Sequence, residues 1–278
     1  MKKLALTVGG LALTVALTAC GAKAGNGTGN TAAGTNATGG MSALFSNAQD
    51  LAHAASSKTG QAKTAKFSMD MSMGAQSMKA QGSGDFDPAK PAVQMTMNIG
   101  EMTEEMRIVD NTVYIKLPKE LSAKTGSSKP WVKTSADSMM GKQLGAGKAD
   151  QNDPSKMLEK VQQAGTITKS EQTVLDGQPA THYVITVDLN KAVQVMGSEV
   201  DKTVLDKIAG KNVTFPMEIW LNSDMLPVQI TEDLGDMMKA AGAPAGTDQV
   251  KVTMKYTDWG APVDVQAPPA DQVGTMGN

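Results

Sequence analysis

Phe67, Met69, Met71 and Met73 alternate with Ser68, Asp70 and Ser72, and Val93, Met95, Met97 and Ile99 alternate with Gln94, Thr96 and Asn98. A period of two makes a strand with one apolar and one polar face. The burial problem for such a chain is therefore that of a half-buried sheet. The same reasoning predicts strands at 76–86, 102–109, 112–117 and 131–134. It resumes at 166–175 and 180–188, where Tyr183, Ile185 and Val187 alternate with Val184, Thr186 and Asp188, and closes with 213–221, 226–233 and 249–257. Turn-like links at Asp110-Asn111, Leu175-Asp176-Gly177 and Asn222-Ser223-Asp224 favour hairpins over crossovers. Three helical stretches interrupt the strands. Ser42 caps one that runs to about Ser57, with Leu44, Phe45, Ala48, Leu51, Ala52 and Ala55 as its apolar stripe. Asp153-Pro154 opens a second, an N-cap followed by proline at the first helical position. The third covers 189–209. The sum is about ten or eleven strands in an antiparallel α+β layout, not a doubly wound sheet. The tail from Asp264 is rich in Pro and Ala and is expected to lie extended.

The first twenty residues obey different rules. Lys2 and Lys3 precede an apolar run from Leu4 to Leu17, shorter than the roughly 20 residues of a membrane span and suited to a secretory signal peptide. The run ends in Leu17-Thr18-Ala19-Cys20-Gly21. This looks like a bacterial lipobox, which implies diacylglycerol transfer to the Cys20 thiol and cleavage before Cys20. Cys20 is the single cysteine of the chain. A lone exposed thiol would be a liability in an oxidising compartment, which favours lipidation over a free thiol.

Gly21 to Gly40 consists of Gly, Ala, Thr and Asn apart from Lys23. It buries nothing and reads as a coil with a root-mean-square reach of roughly 25 Å. The expected organisation is a leader over 1–19, a lipidated Cys and tether over 20–40, and a single folded domain over 41–278.

Little in the sequence offers catalysis. The charge is −2, with 26 Lys+Arg against 28 Asp+Glu, and Arg107 is the only arginine, so no global field draws nucleic acid. His53 and His182 are the only imidazoles; no pair of His or Cys has zinc-ligand spacing. His182 reads as a solvent-facing or cross-strand residue. Gly-x-Ser-x-Gly is absent, as is any Ser three residues before a Lys. Gly141 to Lys148 departs from a phosphate loop, because its second glycine comes one residue late and Ala149 stands where Ser or Thr should be. Glu101, Glu104 and Glu105 form one acidic cluster and Asp150, Asn152 and Asp153 another, and neither matches a calcium loop. No catalytic residues, metal site or cofactor are expected.

Methionine is the unusual component, with 20 residues against 4 % aromatics. It is unbranched and polarizable and recurs at binding surfaces that accept varied shapes. Met69, Met71, Met73, Met95 and Met97 fall on one apolar face by alternation. The two readings are a deformable apolar cavity between sheet and helices, and a plain core that uses Met.

The order of these parts is similar to that of the LppX/LprAFG lipoproteins of the actinobacterial cell envelope. The resemblance is carried by the lipobox and tether, Val113-Tyr114-Ile115, Pro130-Trp131-Val132 and Asp153-Pro154 with its helix. It continues through Asp176-Gly177 to His182-Tyr183-Val184-Ile185, Ile219-Trp220-Leu221 with Leu226-Pro227, and Tyr256-Thr257-Asp258-Trp259-Gly260. It implies a curved antiparallel sheet forming an incomplete barrel, with helices packed on its concave side, related to the LolA architecture. It also implies a non-enzymatic protein that binds acylated lipids or lipoglycans and hands them across the envelope, with an envelope transporter as a partner. The expected location is the extracytoplasmic face of a bacterial cell membrane.

On that reading Phe67, Met69 and Met71 line the cavity from the first strand, and Val93, Met95 and Met97 from the third. Tyr183, Ile185, Met217 and Ile219 line it from the middle of the chain, and Val252 and Met254 from the last long strand. The assignment assumes that every alternating set faces inward. The rival reading is an envelope scaffold or signalling lipoprotein with a dry core, binding a protein partner through its outer surface by strand addition.

Overall fold

The computed structural model describes residues 44–87, 89–100, 102–118, 129–136, 138, 154–196, 211–243 and 249–275. Its first element is helix α1 (Ala48–Ala62), followed by the hairpin strands β1 (Thr64–Met73) and β2 (Gln76–Asp85). Then come β3 (Ala92–Ile99), β4 (Met102–Val109), β5 (Thr112–Lys116) and β6 (Trp131–Ser135). Helix α2 (Pro154–Ala164) leads into the long hairpin β7 (Gly165–Leu175) and β8 (Gln178–Asp188). Helix α3 (Leu189–Met196), β9 (Thr214–Leu221), β10 (Pro227–Asp233), helix α4 (Gly235–Ala240), β11 (Val250–Thr257) and the short β12 (Val273–Thr275) complete the chain.

All twelve strands join one curved, unclosed sheet in the order β12-β6-β5-β4-β3-β2-β1-β11-β10-β9-β8-β7. Every pairing is antiparallel except β12 on β6. The expected α+β class and incomplete barrel are what the chain forms. The turns explain the antiparallel order. Asp110 and Asn111 both take positive φ (49° and 58°) between β4 and β5, and Asp176 and Gly177 do so (51° and 81°) between β7 and β8. Two-residue turns of that hand match the twist of paired strands. Between β9 and β10 the Asn222 side-chain oxygen accepts from the backbone N–H groups of Asp224 and Leu226, closing the loop in place of a two-residue turn.

Several expected boundaries move. The first helix begins at Ala48, not near Ser42: Asn47 caps it by accepting from the Asp50 N–H at 2.8 Å. Leu44 is largely exposed and Phe45 only half-buried, so the front of the expected stripe belongs to the approach to the helix. The third helix is described only to Met196, and the remainder of the expected 189–209 stretch lies outside the described residues, as do Cys20, the tether and the Gly141 to Lys148 loop. Helix α4 and strand β12 are not among the expected elements. No described helix is long and apolar enough to cross a membrane.

One core holds most of the fold together. Leu51 and Ala55 of α1, Leu158 and Val161 of α2, and Ile185 and Ile219 of the sheet are fully buried in a single cluster. Burying each of the larger side chains is worth about 1.5–3 kcal/mol. A second cluster continues along the same sheet face over β4–β6, with Met106, Ile108, Val113, Ile115 and Val132; Met95 packs against both.

Candidate functional site

The inner face is a set of cross-strand rows. One row runs Tyr183, Ile219, Ile230, Met254, Met69, Ala80, Met97 from β8 to β3. The next runs Ile185, Met217, Glu232, Val252, Met71, Met78. A third takes Tyr256, Phe67, Gly82, Met95 and Met106, and Val93 lies opposite Ile108 on the same face. The register thus sets all twelve residues expected to line a cavity on one side of one sheet.

Burial divides those twelve into two groups. Tyr183, Ile185, Met217, Ile219, Val93, Val252 and Phe67 are buried. Met69, Met71, Met95, Met97 and Met254 are only half-buried. The helices account for much of this division. Helix α2 lies against α1 and packs on β7 and β8, α3 packs on β8, and α4 packs on β9 and β11. Farther along the same face, Met73 is 37 % exposed and Met102 is 65 % exposed. The inner face therefore passes from a buried core into a half-covered surface of methionines.

Three features fix the geometry between the two groups. Tyr183 accepts a hydrogen bond from the Phe45 N–H at 3.3 Å, and the two rings meet at 6.4 Å, which ties the approach to α1 onto β8. Burial pushes the Tyr183 hydroxyl above the ordinary tyrosine pKa, with the Phe45 hydrogen bond opposing it. Gly82 and Gly84 leave the inner side of β2 without side chains, and the Phe67 and Phe86 rings occupy that space. A glycine within a strand commonly marks such a close approach, with an aromatic covering the gap. Finally, Trp259 donates to the Pro227 carbonyl at 2.8 Å and stacks on Tyr256, closing the β10–β11 side.

The outer face is polar and carries features that strand-by-strand reading missed. His182 is a cross-strand residue, but a well-covered one. Its ring nitrogens lie 3.3 Å from Glu171 and 2.7 Å from Glu218, and its ring stacks on Trp220 at 4.2 Å. Lys169, and next His182, hold the Glu171 carboxyl below its usual range. The two ring nitrogens face different carboxylates, so these three side chains enclose the imidazole and do not converge on a common point. Near the other end Trp131 is buried beneath the Arg107 guanidinium, 4.9 Å above its ring, where the chain after β11 crosses: Arg107 donates to the Gln266 carbonyl. At the start of β1, Lys63 and Asp87 pair at 2.6 Å, which raises the lysine pKa and lowers that of the aspartate.

No family model matches the chain. Over 238 residues it is 28 % identical to an uncharacterized 31.2 kDa protein of Streptomyces griseus, a match covering 77 % of this chain and 74 % of that protein. Among solved structures it is similar to LprF from Mycobacterium bovis, with 16 % identity, a TM-score of 0.48, and coverage of 80 % of this chain and 96 % of that one. The chain is also similar to the Pseudomonas aeruginosa MucA/MucB complex, with 12 % identity and a TM-score of 0.37, covering 81 % of this chain and 59 % of that one.

Proposed function

We propose that this protein is a bacterial envelope lipoprotein, anchored through diacylated Cys20 on the extracytoplasmic face of the membrane. On this reading it binds acylated lipids or lipoglycans between the inner sheet face and the helices and carries them within the envelope. It performs no catalysis and hands its cargo to an envelope transporter. The observation that supports this reading is the half-buried methionine surface, continuous with the buried core on one side of the sheet.

The energetics suit a carrier. Each buried CH₂ is worth about 0.8 kcal/mol against water, so two long acyl chains hold firmly. Between a bilayer and an apolar pocket the same chains exchange one apolar medium for another, and little net drive remains. Transfer then depends on fit and access, and Met side chains adapt their rotamers to chains of different length and saturation. Tethering keeps the pocket close to the membrane from which cargo comes.

Met95 touches both inner clusters, so Met95→Lys tests the site where it would matter most. Titrated with dansyl-labelled undecanoic acid, the variant is expected to bind at least about ten-fold more weakly, a loss of roughly 1.4 kcal/mol. Its far-ultraviolet circular dichroism should match that of the parent. Unchanged probe affinity in a folded Met95→Lys protein would contradict the inward-facing site.

A further inference from the structure

We propose that the outer face of the sheet carries a second binding site, for an acidic saccharide, organised by Arg107. This site lies on the opposite side of the sheet from the methionine surface and does not depend on the lipid reading.

A groove of about 520 Å³ opens across β11 and β1–β4. The register builds it from two parallel rows. Lys255, Ser68, Gln81, Thr96 and Glu105 form one, and Thr257, Lys66, Ser83, Gln94 and Arg107 form the other. Neighbouring strands lie about 4.8 Å apart, so the span from β1 to β4 is roughly 14 Å, enough for one or two sugar rings. Its middle is lined by amides and hydroxyls, which donate to and accept from sugar hydroxyls. The Gln81 side chain is exposed and makes no hydrogen bond among the described residues, and Gln94 donates to the Ser83 hydroxyl at 3.1 Å.

The charges make the preference acidic. Among the described residues that line the groove, Lys66, Lys255 and Arg107 stand against Glu105 as the one carboxylate. Glu105 is already paired with Lys116. Lys66 and Lys255 each reach an exposed carboxylate, Asp258 at 2.9 Å and Asp176 at 2.7 Å. Arg107 differs from them: among the described residues no carboxylate pairs with it. Its guanidinium rests over buried Trp131 and spends one N–H on the Gln266 carbonyl at 3.0 Å. A planar fork held by stacking and one backbone bond keeps donors for a carboxylate or phosphate and loses little freedom on binding.

The test is a set of titrations of the full-length mature lipoprotein in detergent micelles, followed by backbone amide shifts of β1–β4. The probes are glucuronate, glucose 6-phosphate, glucose and inorganic phosphate. Saturable shifts centred on Ser68, Gln81, Thr96 and Arg107 are expected with one or both acidic sugars, and which of them binds names the anionic group. Glucose and inorganic phosphate should each bind at least about ten-fold more weakly, because each lacks half of the contacts. Arg107→Gln should weaken the acidic sugars by about ten-fold or more. Gln81→Ala, a change at an exposed side chain, should weaken them severalfold while leaving the response to inorganic phosphate unchanged. Absence of saturable shifts would overturn the proposal. Inorganic phosphate binding as tightly as the acidic sugars would reduce the groove to a simple anion site and overturn it equally, as would glucose binding as tightly as they do, or full affinity for them in Arg107→Gln.

Discussion

Gly82→Ala is expected to destabilise the domain by about 3 kcal/mol, at the upper end of overpacking costs. A Cβ on Gly82 would lie 2.2 Å from the Gln94 carbonyl oxygen and 2.7 Å from the Phe67 ring. The oxygen belongs to the neighbouring strand and cannot swing aside as a long side chain would. Relief requires β2 and β3 to part or Phe67 to leave the inner face, and either change loosens the contact between the two halves of that face. For a domain of this size the melting temperature should fall by roughly 6–12 °C. Gly60→Ala is the control, since nothing lies within 4 Å of a Cβ there and the residue is exposed in α1. It should stabilise by about 0.5–1 kcal/mol through helix propensity. Paired thermal melts read both, and equal melting temperatures for the two variants would mean that β2 and β3 do not approach as described.

Cys20→Ala should remove lipidation entirely. The chain has one cysteine, so no second thiol can take the diacylglycerol. Cells fed an alkyne analogue of palmitate should label the wild-type protein and leave the variant blank, and the variant should keep its leader because cleavage follows acylation. Two or more acyl chains give stable anchoring where one gives marginal binding. Label retained by Cys20→Ala would refute the lipobox reading.

The strands were legible almost residue by residue, because alternation such as Phe67-Met69-Met71 survives whatever the sheet packs against. The turns were legible from Asp110-Asn111 and Asp176-Gly177, whose side chains tolerate positive φ. The start of α1 was not: Ser42 and Asn47 are both capping residues, and Leu44 and Phe45 continue an apolar pattern that only tertiary contact ends. Helix α4 spans six residues, too few for a periodic signal. Strand β12 owes its pairing to the parallel edge of β6, not to a pattern of its own. Alternation placed the methionines on one face but could not show which of them the helices cover. The outer groove and the enclosure of His182 were illegible for a related reason. Gln81, Gln94, Glu105 and Arg107, like Glu171 and Glu218, each read alone as a solvated strand position, and only the register brings them together. Gly82-Ser83-Gly84 within a predicted strand was a usable sign of close approach.

Acyl chains held on the inner face should travel with the purified protein. Native mass spectra of the lipoprotein purified from membranes and released from detergent would reveal them, since the anchor is covalent and a cargo is not. An added mass is expected that organic extraction removes and that returns, one lipid per protein, when acyl lipid is supplied. A single mass before and after extraction, with no uptake of added lipid, would contradict acyl-chain binding and leave the methionine face as a core without cargo.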